Sequence, residues 1–566
     1  MTFSIKTPRT AGKRATAIVC YAPAFALVAV LVFFRIWTAA SPLWHDETLN
    51  VISVWGIYGF GSMKHLWDIF GYNRDNNHLL MSAYFWAIGP GHSYFVFRLP
   101  SFVAGLVILP LGYWAFRRIC GKQAAIIFGL LTLASSDFMQ LASEARGYLL
   151  AAVFVVAAFG CCERMLEKPS RRWALGFWAA SIAAILAHLS GVIVYGALAI
   201  WSGSLFFRQA LKNGIRREAA LILALAIAAA ATLIADVILF NSQGELGIAP
   251  TFNGIYNHAW IIDALWVVGA AGVLGLAIFT FVFHRTLRKA TKLSPLEIVI
   301  LMNLPIIWAG LLLFHLFYQK LLVYCWAYRM SPADFASDFM TGVFNAPAIP
   351  IVEAAVALVI VILALIGLVH IARRSSAWIF FVILTVLAAA MIASEIHRTI
   401  VQPRYVFVAI VFLLLLVARG LAVIAEWQPA GKFLSYAIIA IFMISAVPKS
   451  LAMLPQGTGY AEAVRSIGNH SVSFDDANVT DPTIFCFYAA NEGTHPIFSD
   501  DPFAKPQPRC PDFFIIPAPE AVDSFSLTSK MEVSTPDTIE RNGERFSLFE
   551  VFPGGGKCWP WALYKR

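Results

Sequence analysis

Apolar runs of span length alternate with short polar breaks along most of the chain. The first, from about Ala17 to Trp37, is long enough for a bilayer, which takes roughly 20 apolar residues. It is too long for a signal-peptide core and lacks a small-residue cleavage site, so it reads as a retained anchor. Counting the runs predicts about 13 spans. One set of breaks is basic: Arg117-Arg118, Arg164 to Arg172, Arg208 to Arg217, Arg285 to Lys292, Arg373-Arg374 and the surroundings of Lys432, together with Lys6, Arg9, Lys13 and Arg14 at the N-terminus. The alternate breaks carry about 8 Lys and Arg against about 22 on the first side, which places the N-terminus in the cytoplasm. An odd number of spans then puts the C-terminus outside.

From about Leu451 the pattern changes. Polar residues, Pro and Gly become frequent and no span-length run remains. Tyr460 to Ile467 reads as one amphipathic helix. Phe513-Phe514-Ile515-Ile516 and Phe546 to Val551 read as strands. The expected architecture is a polytopic α-helical membrane protein, residues 1–450, with a small extracytoplasmic α/β domain at 451–566, about 115 residues and within the ordinary domain range. The expected location is a cell (inner) membrane.

Composition agrees with this layout. Of 566 residues, 59% are hydrophobic and 13% charged, which excludes an ordinary soluble protein. The net charge of +9 does not point to nucleic acid, because the basic residues lie in the breaks where membrane topology places them. Of eight cysteines, Cys486, Cys510 and Cys558 fall in the outer segment. One disulfide among them is expected, without a choice of pair. Cys161-Cys162 reads as packing.

Trp44-His45-Asp46-Glu47 follows the first span directly and delivers two adjacent carboxylates to the outer membrane surface. Charges beside lipid are costly, which makes function the default reading; capping of the following helix is the structural alternative. The loop they open runs from about 41 to 98 and also carries Arg74 and His78. Val51 to Tyr58 and His78 to Ile88 can lie at the interface as helices. Other outer ends add Arg98 in Arg98-Leu99-Pro100-Ser101, Arg146 and Tyr148 in Arg146-Gly147-Tyr148, His188, Arg398, and Arg404-Tyr405. Arginine suits phosphate, since its planar fork is always charged and binds oxygens bidentately. A carboxylate can serve as general base. The residue types therefore point to a cavity at the outer surface where a lipid-linked phosphate enters from the bilayer. For Arg98, Arg146 and His188 a structural role stands beside the functional one, the two arginines satisfying carbonyls or pairing with Glu144 or Asp137. Glu353 reads as a cap; Asp236 and Asp263 read as interhelical hydrogen-bonding groups.

In order, side and spacing, these motifs resemble the GT-C superfamily of integral-membrane glycosyltransferases, most closely the branch with protein O-mannosyltransferases and the lipid A aminoarabinose transferase. Asp46-Glu47 matches that branch's acidic pair. Asn76-Asn77-His78-Leu79-Leu80 stands where it has a His-Pro-Pro element, with the histidine kept and the prolines absent. Arg98 to Ser101 matches its Arg-x-Pro-Ser helix start, Arg146-Gly147-Tyr148 its Arg-x-Tyr, His188 a later histidine, and Pro403-Arg404-Tyr405 a late Pro-Arg-Tyr. The likeness covers the first 200 residues and the region from 395 to 425; the middle agrees in hydropathy only.

The resemblance implies a polyprenyl-phosphate-sugar donor and an inverting transfer to an envelope acceptor: glycolipid, polysaccharide or protein. It implies Asp46 as general base, with Glu47 orienting it or the acceptor, and no metal cofactor. Arg74, His78, Arg146, Arg398 and Arg404 would be candidates for the phosphate. Two other functions fit a chain of this kind, a flippase for lipid-linked glycan and a non-catalytic envelope assembly subunit. The absence of an internal repeat and the clustering of polar residues at outer ends favour the transferase.

Overall fold

The computed structural model describes residues 27–41, 43, 47–48, 51, 54, 78–168, 170–188, 191–213, 332–395, 403–452, 460–474, 482–494, 497–498, 512–517, 536–541, 544–552 and 561–566. Among these, five helices are long and apolar enough to cross a membrane: Tyr94–Phe116, Tyr148–Glu167, Pro350–Ala372, Phe407–Glu426 and Pro429–Leu451. A bent pair, Lys122–Ala134 and Ser136–Ala142, makes a sixth. Leu27–Ala40, Leu175–Ala187, Ile193–Leu205 and Trp378–Ala389 are apolar but shorter. The chain is a multi-pass membrane protein of mostly helical fold. The expected count of 13 spans draws on residues 214–331, which lie outside the described residues, as do Asp236 and Asp263.

Phe407–Glu426 is the central post. In its apolar stretch 89% of residues are buried, against 17% for Pro350–Ala372, which presents most of its surface outward. A helix that is apolar all round belongs at the centre of a bundle. It packs on Pro350–Ala372, Lys122–Ala134 and Tyr148–Glu167. The closest approach rests on two glycines. A Cβ at Gly367 would lie 2.1 Å from the Leu416 carbonyl oxygen, and one at Gly420 would lie 2.1 Å from that of Leu363. Lipid tails are as apolar as leucine, so helices in a bilayer associate through such close packing of small residues rather than through hydrophobic burial. Phe412 extends the contact into a cluster with Phe116, Phe159, Phe380 and Phe381.

Two helix irregularities position the functional end. The second span starts at Tyr94 rather than at Arg98, so Pro100 sits inside the helix. Proline removes the bond its N–H would make to the carbonyl four residues back. That carbonyl, of Val96, accepts the Tyr84 hydroxyl at 2.6 Å instead. The bent pair turns by 69° at Ser135 without a proline or glycine. Here Arg35, from the first helix and 1% exposed, donates to the Thr132 and Leu133 carbonyls, both at 3.0 Å. Asn345, in the left-handed region at φ 54, accepts from the Ser136 N–H at 3.2 Å and donates to the Ala134 carbonyl at 2.8 Å. One side-chain amide thus stands in for the missing helical bonds, which is how a break is tolerated at membrane depth.

The C-terminal region contains a sheet in the order β2-β1-β3-β6-β5-β4, with β1 Ser471–Phe474, β2 Ile497–Phe498, β3 Phe513–Pro517, β4 Thr538–Arg541, β5 Glu544–Phe552 and β6 Trp561–Lys565. β1 pairs in parallel with β2 and β3; the other pairs are antiparallel. The amphipathic helix is Tyr460–Ile467, and the segments read as strands are β3 and β5. Alternation puts Phe513, Ile515 and Leu563 on one face and Ala562 and Tyr564 on the other. The first face does not close on itself. Its core continues through Tyr460, Val464, Phe487 and Tyr488 into Leu43, Val51, Val54, Leu79, Phe85 and Phe97 of the first loop and second span. Cys510 and Cys558 and the side chain of Cys486 lie outside the described residues. Cys161 and Cys162 are buried and free. Glu353 lies in the first turn of its helix and accepts from Ser337 Oγ at 2.7 Å.

Candidate functional site

Glu47 is fully buried and faces Arg98, 3% exposed, across a bidentate pair: Nε to Oε1 at 2.9 Å and Nη2 to Oε2 at 2.6 Å. Arg98 Nη1 reaches the carbonyls of Thr38 at 3.2 Å and Ala39 at 3.4 Å, and also that of Ser41. These carbonyls lie at and just past the C-terminus of the first helix, where no further turn supplies N–H donors. One guanidinium therefore joins the end of the first span, the acidic segment and the second span. Breaking such a pair from one side strands a buried charge and costs about 3–5 kcal/mol.

The turn at 143–147 is the hub of the site. The Ala145 N–H donates to Glu47 Oε1. The Arg146 carbonyl accepts from Ser101 Oγ at 2.8 Å. The Gly147 N–H donates to His78 Nδ1 at 3.2 Å. A Cβ at Gly147 would meet the Ala187 carbonyl oxygen at 1.8 Å, so only glycine lets this turn pass the end of the Arg171–Ala187 helix. Arg98 and Ser101 of Arg-Leu-Pro-Ser thus both bind the surroundings of the acidic segment, while Pro100 is accommodated by Tyr84.

On this hub lies a ring cluster. Tyr148 and His188 have centroids 4.1 Å apart, His78 and His188 4.8 Å, and His78 and Tyr148 5.1 Å. The Arg146 guanidinium stands over Tyr148 at 5.6 Å. His78 Nδ1 accepts a hydrogen bond, so it carries no proton, and the neutral ring has its proton on Nε2. Burial, the neighbouring His188 and the charges of Arg146 and Arg404 hold the His78 pKa well below the ordinary imidazole value, against a hydrogen bond to the Ala187 backbone that raises it. Burial, Arg146 and Arg404 also depress His188. Arg404 therefore acts on the same two rings from the short 3-10 turn Pro403–Val406, far away in sequence. The structure brings together Glu47, His78, Arg98, Arg146, Tyr148, His188 and Arg404.

Asp46, Arg74 and Arg398 lie outside the described residues, as does the side chain of Tyr405. Four contributors were missed by sequence reasoning. In the sequence Ser101 stands out only as the end of Arg-Leu-Pro-Ser and Gly147 only as the middle of Arg-Gly-Tyr. Arg35 had a signal, a charge inside an apolar run. Tyr84 had none beyond its place on an interfacial helix. Among the described residues, no group of three or more His, Cys, Asp or Glu could hold a metal ion.

No family model matches the chain, and no curated protein sequence matches it. Its structure is similar to solved structures that match most of the chain. One is the Archaeoglobus fulgidus oligosaccharyltransferase, solved with a tethered acceptor peptide: 13% identity, 86% of this chain, 61% of that chain and a TM-score of 0.49. The chain thus spans 61% of that protein's length. Another is ArnT from Cupriavidus metallidurans, solved in complex with undecaprenyl phosphate: 16% identity, 96% of this chain, 98% of that chain and a TM-score of 0.35. At these identities the similarity concerns fold alone.

Proposed function

We propose that this chain is a membrane glycosyltransferase that moves a sugar from a polyprenyl-phosphate donor to an envelope acceptor on the extracytoplasmic side, with inversion. One observation carries the reading: the Arg146 guanidinium stands 5.6 Å over Tyr148 in the ring cluster with His78 and His188, one residue after the N–H that binds Glu47, and the charge of Arg404 reaches the same rings. Like charges gathered at one place favour an anion there, and a donor phosphate supplies it. In the reaction, the Asp46 carboxylate takes the proton of the acceptor nucleophile as it attacks the anomeric carbon. The bond from that carbon to the phosphate oxygen breaks on the opposite face. Its electron pair leaves with the polyprenyl phosphate, held by Arg146 and Arg404. Glu47, fixed by Arg98, orients the acidic segment.

General-base catalysis contributes roughly 100- to 10,000-fold. Asp46→Asn should therefore lower transfer at least a hundredfold while leaving the amount of folded protein unchanged; full activity in that variant sinks the assignment. Mass spectrometry of envelope glycolipids and glycoproteins from a deletion strain identifies the missing sugar and its acceptor. Lipid-linked glycan flipped in liposomes, with no sugar missing from any acceptor, would favour a flippase instead.

A further inference from the structure

Tyr488 is fully buried in the helix Pro482–Glu492, and its hydroxyl donates to the Leu43 carbonyl, 445 residues away in sequence. Leu43 is itself fully buried and lies three residues before Asp46. The same helix grips the neighbouring chain at three further points. Phe487 stands against Phe97, the residue before Arg98, at 6.0 Å. Asn491 Oδ1 accepts from the Gly91 N–H at 3.2 Å, and Glu492 Oε1 from the Tyr94 hydroxyl at 3.0 Å. Tyr488 is held in turn between Tyr94 and Tyr460, each at 5.9 Å.

The acidic segment therefore has two anchors. Arg98 and the Ala145 N–H hold Glu47, and Tyr488 holds Leu43. Four residues span at most about 14 Å. Leu43 and Glu47, four positions apart, are thus held from two different parts of the molecule. A reacting group needs placement within about 0.5 Å. The membrane helices supply one anchor, and the C-terminal region supplies the other.

We propose that Tyr488 is a positioning residue for the Asp46-Glu47 segment, its hydroxyl bond to the Leu43 carbonyl holding that segment in place for the reaction. This rests on the transferase reading. The test is Tyr488→Phe in the full-length chain, which keeps the ring and deletes the donor. Hydrogen exchange of peptides covering 43–54 should accelerate at least tenfold, with peptides covering 460–474 and 513–517 unchanged. Transfer is then measured in membranes of the deletion strain carrying the plasmid-borne chain, with the strain's own lipid-linked sugar pool as donor. Its rate per folded molecule should fall about tenfold, and the acid limb of its pH profile should move by at least half a unit. A purely structural tyrosine would instead lower folded yield and leave that limb in place.

Unchanged exchange in 43–54 overturns the proposal, and so does faster exchange with rate and acid limb intact. If Tyr488→Phe does not fold, Asn491→Ala loosens the same helix from the loop and should give the same pattern at roughly a third of the size; absence of that pattern again overturns the proposal. Failure of the underlying reading is distinguishable, because wild-type membranes would then transfer no sugar and Asp46→Asn would change nothing, whatever the exchange data read.

Discussion

At the end of the bundle that carries Glu47, Arg98 binds a fully buried carboxylate and the last carbonyls of the first helix. At the other end, Arg419, equally buried, donates to the Cys120 carbonyl at 2.9 Å, lies 2.6 Å from His370 Nε2, and reaches Glu426, whose side chain is 49% exposed. Both arginines close helix ends. The difference lies in their surroundings. Around Arg419 charges of opposite sign meet near solvent, as they do at Arg118 and Glu167. Around Arg98 two further arginines press on a pair of neutral imidazoles. Opposite charges side by side finish one end of the bundle; at the other end positive charge lies beside buried rings, where the transferase reading puts the donor phosphate.

Arg98→Ala should do the greatest damage, because it leaves Glu47 buried and charged. A loss of about 3–5 kcal/mol is expected, read as a large fall in thermal midpoint and folded yield. Next come Arg146→Ala and Arg404→Ala, which should lower transfer about a hundredfold, or about 2.7 kcal/mol in the barrier, with the thermal midpoint nearly unmoved. If they unfold the chain as Arg98→Ala does, the distinction between fold-holding and ligand-holding arginines is lost.

Acidification gives a smaller effect. The His78 and His188 pKa values are depressed in the fold, so between those values and about 6.5 the unfolded chain binds protons that the folded chain refuses. Their contribution to stability is present above about pH 6.5 and is lost as pH falls, by up to about 1.4 kcal/mol per histidine per pH unit. His78→Gln should flatten the fall in thermal midpoint between pH 7 and pH 5; an unchanged slope would show that the rings are not held neutral. Arg419→Leu should matter least, about 1 kcal/mol for the abandoned Cys120 carbonyl, with no change in transfer, since exposed Glu426 keeps its water.

Candidates for the proposed site are legible where a residue's type alone announces chemistry. His78, Arg98, Arg146, Tyr148, His188 and Arg404 are polar groups at the ends of apolar runs. Their pairing was not readable. Nothing in the chain says that Arg98 belongs to Glu47, that Tyr84 serves the carbonyl Pro100 leaves, or that Asn345 bridges a break more than 200 residues earlier. Each is a bond between segments distant in sequence, satisfying backbone groups whose need arises only once the fold exists. Local elements fared better. The Tyr460–Ile467 helix and strands β3 and β5 follow directly from period. The second span starts at Tyr94, four residues before Arg98, and the Tyr84 hydroxyl serves the carbonyl that Pro100 leaves inside it.

The central position of Phe407–Glu426 has a consequence for biogenesis. Tyr148–Glu167 and Lys122–Ala134 pack on it, yet about 240 residues separate the end of Tyr148–Glu167 from its start. At roughly 5–20 residues per second the ribosome needs about 10 to 50 seconds to cover that distance. For that interval the early helices wait in the bilayer with lipid where the post will stand. Docking of the post on them is then an exchange, lipid out and helix in, whereas the glycine contacts of Gly367 and Gly420 join the post to Pro350–Ala372, which leaves the ribosome shortly before it.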